Sequence, residues 1–149
     1  MDMYEIKFQS VWVNGCFDLL HPGHLDLLYQ AAEIGEWLIV GINSDESVKL
    51  LKGDSKPIMS LRHRRLLVQS IDCVDQVVII HGERCDFELR AIQPQVVVKG
   101  KGYDIDSMCQ KERAAVDSYG GQIRFLENVN YPISTGQIIN RCRECDYQK

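Results

Sequence analysis

No stretch of the sequence approaches the eighteen or so consecutive apolar residues needed to cross a bilayer. Its start, Met1-Asp2-Met3-Tyr4-Glu5, lacks a basic region leading into an apolar run and does not read as a secretory signal, so a cytoplasmic location is expected. There is no basic stripe either. The formal net charge is −4, which gives no support to a nucleic-acid surface but leaves room for a local anion site. Internal repeats, low-complexity tracts and an evident domain linker are all missing. At 149 residues the chain is read as one domain, residues 1–149. Cysteine is not scarce, at six, but only Cys142 and Cys145 form a CxxC pair, and a structural zinc site needs four ligands. Buried or semi-buried free thiols are the expectation.

What is present is a core's worth of apolar side chains, 45% of the residues. Short β-branched runs alternate with helical patterns. Strands are expected within Gln9–Val13, at Trp37–Ile42 and Val77–Ile80, within Gln95–Lys99, and at Ile123–Leu126. Helices are expected from Pro22 to Ile34, near Glu46 to Leu50, and from Ser60 to Ser70 with Leu66, Leu67 and Ile71 inward. Further helices are expected over 83–92, over 106–119 closed by Gly120-Gly121, and from Ser134 onward. The strands largely lack polar alternation, as parallel strands covered on both faces do. The expected fold is therefore α/β, a Rossmann-like three-layer sandwich with a five-stranded parallel sheet and strand 1 central. Long irregular stretches near 43–58, 99–105 and 126–133 each follow a strand's C-terminal end, where such sheets bind ligands.

The segment Gly15-Cys16-Phe17-Asp18-Leu19-Leu20-His21-Pro22-Gly23-His24 concentrates the chemistry. His21 and His24, three apart at a helix start, share one face of the first turn, toward which free amides would also point. A helix N-terminus attracts anions, and Gly23 removes a side chain where phosphates would approach. Such a cradle suits attack on an α-phosphorus with pyrophosphate leaving. The acceptor is then itself an anionic phosphate, so the histidines stabilise charge and do not abstract a proton.

These residues resemble the GxFDxxHxGH box of the cytidylyltransferase-like nucleotidyltransferases. Within that superfamily the resemblance is closest to the adenylyltransferase portion of bacterial ADP-heptose synthases, over roughly residues 10–141. Further segments carry it: Gly41-Ile42-Asn43-Ser44-Asp45, Leu51-Lys52-Gly53-Asp54-Ser55-Lys56-Pro57-Ile58, Val98-Lys99-Gly100 and Ile133-Ser134-Thr135. Where heptose enzymes usually read Lys-Gly-Gly-Asp-Tyr, this chain reads Lys99-Gly100-Lys101-Gly102-Tyr103-Asp104.

The resemblance implies ATP as nucleotide (CTP as the alternative), a sugar phosphate as acceptor, Mg²⁺, and a homodimer. It implies catalytic roles for His21, His24, Lys56 and Lys99. Nucleotide contacts are expected from Asn14, Gly15, Cys16, Phe17, Asp18, Gly23, Lys99, Ser134 and Thr135, and acceptor contacts from Asn43, Asp45, Lys52 and Arg64. Asp18 is the candidate metal ligand. Plainer roles compete: a turn aspartate at 18, solvated loop lysines at 52 and 56, a solvated helix face at Arg64, and helix capping by Ser134 and Thr135. Two other functions stay open. One is a CTP-dependent enzyme for glycerol 3-phosphate or a similar alcohol phosphate; the other is a non-catalytic nucleotide-binding regulator. The resemblance does not extend to the kinase part that some ADP-heptose synthases carry; if this is the full natural chain, a separate kinase is expected to supply the sugar phosphate.

Overall fold

The computed structural model describes residues 9–126 and 130–146; part of the expected 126–133 loop lies outside them. Strand β1 (Ser10–Gly15) leads into helix α1 (Pro22–Ala32) and strand β2 (Trp37–Asn43). Helices α2 (Asp45–Lys52) and α3 (Leu61–Gln69) precede β3 (Gln76–Ile80). Then come α4 (Asp86–Ile92), β4 (Val96–Lys99), α5 (Gln110–Tyr119), β5 (Gln122–Phe125) and α6 (Thr135–Asp146). The five strands form one parallel sheet in the order β3-β2-β1-β4-β5, with β1 central as expected.

The strands are apolar throughout because both faces are covered. Val11, Val13, Leu38, Val40, Val96 and Val98 point to one side, where Leu28 and Ala31 of α1 and Val68 of α3 meet them. Trp12, Ile39 and Val97 point to the other and pack on Leu89 of α4 and on Ala115 and Val116 of α5. Each fully buried aliphatic side chain contributes roughly 1.5–3 kcal/mol. Gly41 is required on the Trp12 side: a Cβ there would lie 2.4 Å from Trp12 Cζ2. Trp12 is wholly buried, whereas Trp37, at the sheet's other end, is 43% exposed.

Three helices differ from expectation. The segment expected to be helical from 106 begins at Gln110, because the Asp104 carboxylate accepts the Asp106 and Ser107 amides in a turn that precedes it. The helix expected from 83 begins at Asp86. On α3 the inward residues are Arg64 and Val68, followed by Ile71, while Leu66 is 62% and Leu67 38% exposed. The spacing 64, 68, 71 is itself a helical face, and a charged residue heads it. Gly35 is needed less as a helix stop than for close approach, since a Cβ there would meet the Gln9 carbonyl at 2.3 Å.

The chain crosses from one face of the sheet to the other between β3 and β4, so β1 and β4 are neighbours whose following loops diverge. Ligands of open α/β sheets bind in the crevice so formed. Gly41→Ala is expected to destabilise the protein by about 1–3 kcal/mol through overpacking against Trp12. A urea midpoint lowered with unchanged m-value would show this, and an unchanged midpoint would refute it.

Candidate active site

Residues 16–20 join β1 to α1 through a turn with two left-handed non-glycine residues, Phe17 and Leu19, both at φ 50°. Each costs roughly 1–2 kcal/mol, so the turn persists only if its surroundings hold it. They do so from four sides. The Phe17 ring is buried, 5.4 Å from that of His24. Arg64 donates to the Cys16 carbonyl at 2.6 Å. The Thr135 hydroxyl donates to the Asp18 carbonyl at 2.8 Å. The Asp18 carboxylate accepts the amides of Ile58 and Met59 at 2.7 and 2.9 Å.

His21 is the N-cap of α1. Its Nδ1 accepts the Gly23 amide at 3.1 Å, and His24 Nδ1 accepts the His21 amide at 3.3 Å. The rings stack with centroids 3.7 Å apart. The remaining first-turn amides, of His24 and Leu25, donate to the His21 carbonyl at 2.9 and 3.3 Å, and Pro22 has none. The free amide donors expected at this helix start are therefore taken. The imidazoles replace them: with Nδ1 accepting, each neutral ring carries its proton on Nε2. Burial lowers the His21 pKa. Burial, then the charges of His21 and Lys52, bring that of His24 down to about 4. The pair is neutral near pH 7 and offers two N–H donors without mutual repulsion. Gly23 also proves to serve packing, since a Cβ there would meet the Ile133 carbonyl at 2.9 Å.

Two clefts meet at the sheet edge, and Asn14 and Tyr103 line both. The first, of about 460 Å³, runs from His21, Gly23 and His24 to Leu27, Leu126 and Ile133. The second, of about 470 Å³, is lined by Gly15, Cys16, Asn43, Lys52, Arg84 and Lys99. Lys99, nearly buried, donates to Asn14 Oδ1 at 2.9 Å and to Glu112 Oε2 at 2.8 Å. Asn43 donates to Ser47 Oγ at 2.8 Å, fixing its amide at the cleft floor. Burial raises the Cys16 thiol's pKa, against the opposing pull of the Lys52 and Arg64 charges.

The structure thus gathers most of the sequence-derived residues but reassigns several. Arg64 is fully buried and cannot touch an acceptor. Nε donates to the Met59 carbonyl, one terminal nitrogen to the Cys16 carbonyl, and the other to Asp45 Oδ1 at 2.7 Å. Asp45 Oδ1 accepts both the Arg64 bond and the Leu61 amide, so this oxygen braces α3, while the side chain stays partly exposed and lines neither cleft. Lys56 lines neither cleft, whereas Lys52 lines the second. Asp18 accepts a backbone amide on each carboxylate oxygen, contacts that give it a positioning role for the turn. Ser134 accepts the Gln137 amide at 3.3 Å while the Gln137 side chain accepts the Ser134 amide at 2.8 Å, a reciprocal cap of α6. Cys142 and Cys145 are exposed on α6.

Four residues near the clefts escaped the sequence reading. Glu112 is one; Tyr103, shared by both clefts, is another. Asp26 and Asn130 form a pair: the Asp26 carboxylate accepts the Asn130 amide and side chain at 2.9 and 2.7 Å, tying α1 to the segment that walls the first cleft. The sequence signal for Asp26 was its place three residues after Gly23, one turn along the same helix.

Arg64→Met is expected to cost about 3 kcal/mol, because two backbone carbonyls and Asp45 lose buried donors together. Urea unfolding measures it, and a loss below about 1 kcal/mol would refute the role given to Arg64. His24 adds a pH dependence. Between its ordinary 6.5 and the folded value of about 4, the unfolded chain binds a proton that the folded chain does not. Stability must fall as pH falls through that window, by on the order of 2 kcal/mol from this residue. Melts of wild type and His24→Asn at pH 7 and 4.5 test it: the variant should lose less, and equal losses would contradict the assignment.

Comparison with known proteins agrees with this geometry. The sequence profile described as Cytidylyltransferase-like matches residues 12–141. The bifunctional protein HldE of Alcanivorax borkumensis is 38% identical over 136 residues, 91% of this chain and 28% of its own. HldE of Geotalea uraniireducens is 41% identical over 133 residues, 89% of this chain and 26% of its own. The chain thus spans about a quarter of the length of these relatives. Among solved structures, the lipopolysaccharide core biosynthesis protein of Thermoplasma volcanium superposes with a TM-score of 0.66 at 21% identity, covering 83% of this chain and 98% of that one. Pantothenate synthetase of Thermus thermophilus gives 0.58 at 15%, over 87% and 61%. These two share the fold. With the profile covering nearly the whole sheet and both histidines, the chain belongs to the cytidylyltransferase-like family of nucleotidyltransferases.

Proposed function

We propose that the chain transfers the adenylyl group of ATP to the phosphate of a sugar phosphate, D-glycero-β-D-manno-heptose 1-phosphate, releasing pyrophosphate. The observation that carries this reading is the stacked, neutral His21–His24 pair at the head of α1, which lines the first cleft with each Nδ1 taken by an amide, leaving Nε2–H as the donor of each ring. An acceptor phosphate oxygen attacks the α-phosphorus, the new P–O bond forms, and the bond to the bridging oxygen of the β-phosphate breaks. Negative charge grows on the leaving and non-bridging oxygens. Fixed N–H donors aimed there stabilise the transition state more than the ground state. No general base is required, since the attacking oxygen is already anionic.

The two clefts suit the two substrates. Leu27, Leu126 and Ile133 offer apolar surface to a base beside the histidines. Lys52, Arg84 and Lys99 give the second cleft the cations that a sugar phosphate needs, and Asn43 and Ser107 give it hydrogen-bonding groups for hydroxyls. The heptose and ATP assignments draw on the sequence resemblance to the adenylyltransferase part of ADP-heptose synthases, and homodimer assembly and a cytoplasmic location belong to the same proposal. Magnesium is the metal such a reaction uses. Among the described residues no three His, Cys, Asp or Glu side chains are arranged to hold one, and each Asp18 oxygen accepts a backbone amide. The described residues thus supply no cage, and an ion entering on triphosphate oxygens and water would fit them better.

A CTP-dependent reading retains one observation, the Ile133-Ser134-Thr135 run, whose Ile133 walls the first cleft and whose Thr135 starts α6. Pyrophosphate release measured with four triphosphates against heptose 1-phosphate, glycerol 3-phosphate and other sugar phosphates separates the two. ATP with the heptose phosphate is expected to be fastest, and turnover with CTP but not ATP would overturn the adenylyl assignment. His24→Ala is expected to lower kcat by on the order of 10² without unfolding the protein. Near-normal turnover would remove the role given to the pair.

A further inference from the structure

Lys99 ends β4, a strand buried on both sides, so it brings an ammonium group into the protein with 8% of its side chain exposed. A charge so placed needs fixed compensation. It receives it from Asn14 Oδ1 on β1 at 2.9 Å and from Glu112 Oε2 on α5 at 2.8 Å. Glu112 is itself held. Its other oxygen accepts the Cys85 amide at 3.1 Å and the Cys85 thiol at 3.3 Å, at the start of α4. Burial pulls the Glu112 pKa upward, but the Lys99 charge and these bonds outweigh it, and the carboxylate stays ionised. Burial and the Glu112 charge push the Cys85 thiol up, so it stays protonated and remains a donor. An ammonium has three N–H bonds. Two are committed to the clamp, and the third is left for the second cleft, whose wall Lys99 shares with Lys52 and Arg84.

We propose that Glu112 is a positioning residue for nucleotidyl transfer. It does not bind the acceptor. Braced by Cys85, it holds the Lys99 ammonium against Asn14 so that the third N–H meets the acceptor's phosphate at a fixed place, and its own charge is cancelled there by the lysine. The proposal rests on the nucleotidyl-transfer reading above. It differs from a packing role in its consequence. Glu112→Gln keeps the shape and removes the charge that anchors Lys99. A freed lysine still attracts an anionic acceptor but no longer holds it in register, so the loss falls on kcat and not on KM.

The experiment compares wild type, Glu112→Gln, Glu112→Asp, Lys99→Met and the double variant Lys99→Met/Glu112→Gln, using pyrophosphate release from ATP and heptose 1-phosphate. A second readout is the ¹⁵N side-chain ammonium resonance of Lys99, identified by its loss in Lys99→Met. Glu112→Gln is expected to lower kcat tenfold or more with acceptor KM unchanged or lower, and to lose the Lys99 resonance. The double variant should be no slower than Lys99→Met alone, and Glu112→Asp should recover part of kcat. Near-wild-type kcat in Glu112→Gln, or losses that multiply in the double variant, would overturn the proposal. Should Glu112→Gln fail to fold, Glu112→Asp, which withdraws the charge by one methylene, carries the same comparison with Lys99→Met. If wild type releases no pyrophosphate with any triphosphate, the transfer reading fails. The fate of the Lys99 resonance then decides the clamp separately: its survival in the Glu112 variant refutes the clamp, and its loss supports it.

Discussion

The site depends on one buried guanidinium. Arg64 reaches from α3 to the carbonyl of Cys16, to the carbonyl of Met59 and to the carboxylate of Asp45. Those three acceptors belong to three segments: the turn after β1, the lead into α3, and the first turn of α2. A planar cation with fixed donor directions can fix their mutual geometry where a flexible ammonium could not. The turn it holds contains Phe17 and Leu19 in the left-handed region, so it would relax without support. Asp18 adds a second constraint in the opposite sense, reaching from the turn to the amides of Ile58 and Met59. Met59 therefore gives its carbonyl to Arg64 and its amide to Asp18, and the loop before α3 is locked to the turn through both ends of one residue.

That rigidity lets the histidines work as donors. The helix start does not offer its own amides to an anion, because the His21 side chain and carbonyl absorb them. The imidazoles pass the donor capacity outward: an amide N–H bonds to Nδ1, and the ring presents Nε2–H on its far side. Bonds in such a chain polarise one another, and a neutral ring costs far less to bury than a charged one. Two imidazolium rings stacked at 3.7 Å would repel, so the lowered pKa of His24 is part of the design of the pair. Close approach of the Ile133 carbonyl to Gly23 seats the segment before α6 against this helix start, and the Asp26–Asn130 bonds fasten it one turn further along.

The parallel sheet with β1 at its centre was legible because fully covered parallel strands must be apolar, and the runs Val11-Trp12-Val13 and Val96-Val97-Val98 satisfy that without alternation. The two histidines were legible because spacing on a helix is local. What was not legible is long-range. A leucine pair at 66 and 67 looks more like a buried face than an arginine at 64 does. Only the three acceptors that α3 meets reverse that, and they come from residues 16, 45 and 59. Asp18 beside a phosphate motif looks like a metal ligand, and what it contacts is the backbone of residues 58 and 59. Glu112 had no local signal at all, since its partner lies thirteen residues earlier, across the β4-to-α5 connection.

Asn14 shows why the two clefts cannot be tuned independently. Its Oδ1 accepts both the Trp12 indole N–H at 3.3 Å and the Lys99 ammonium at 2.9 Å, and its side chain lines both cavities. Trp12 fills the sheet's second face and is pinned by Gly41, so the amide's orientation is set from inside the core. Lys99 is then fixed by a core residue on one side and by Glu112 on the other. A change of acceptor can be accommodated at the outer wall, where Lys52, Arg84 and Ser107 stand on loops and helix ends. A change at Asn14 would shift the lysine of one cleft and the histidine-side wall of the other together. The shared amide is thus the point at which the order of the core becomes the alignment of the two substrate clefts.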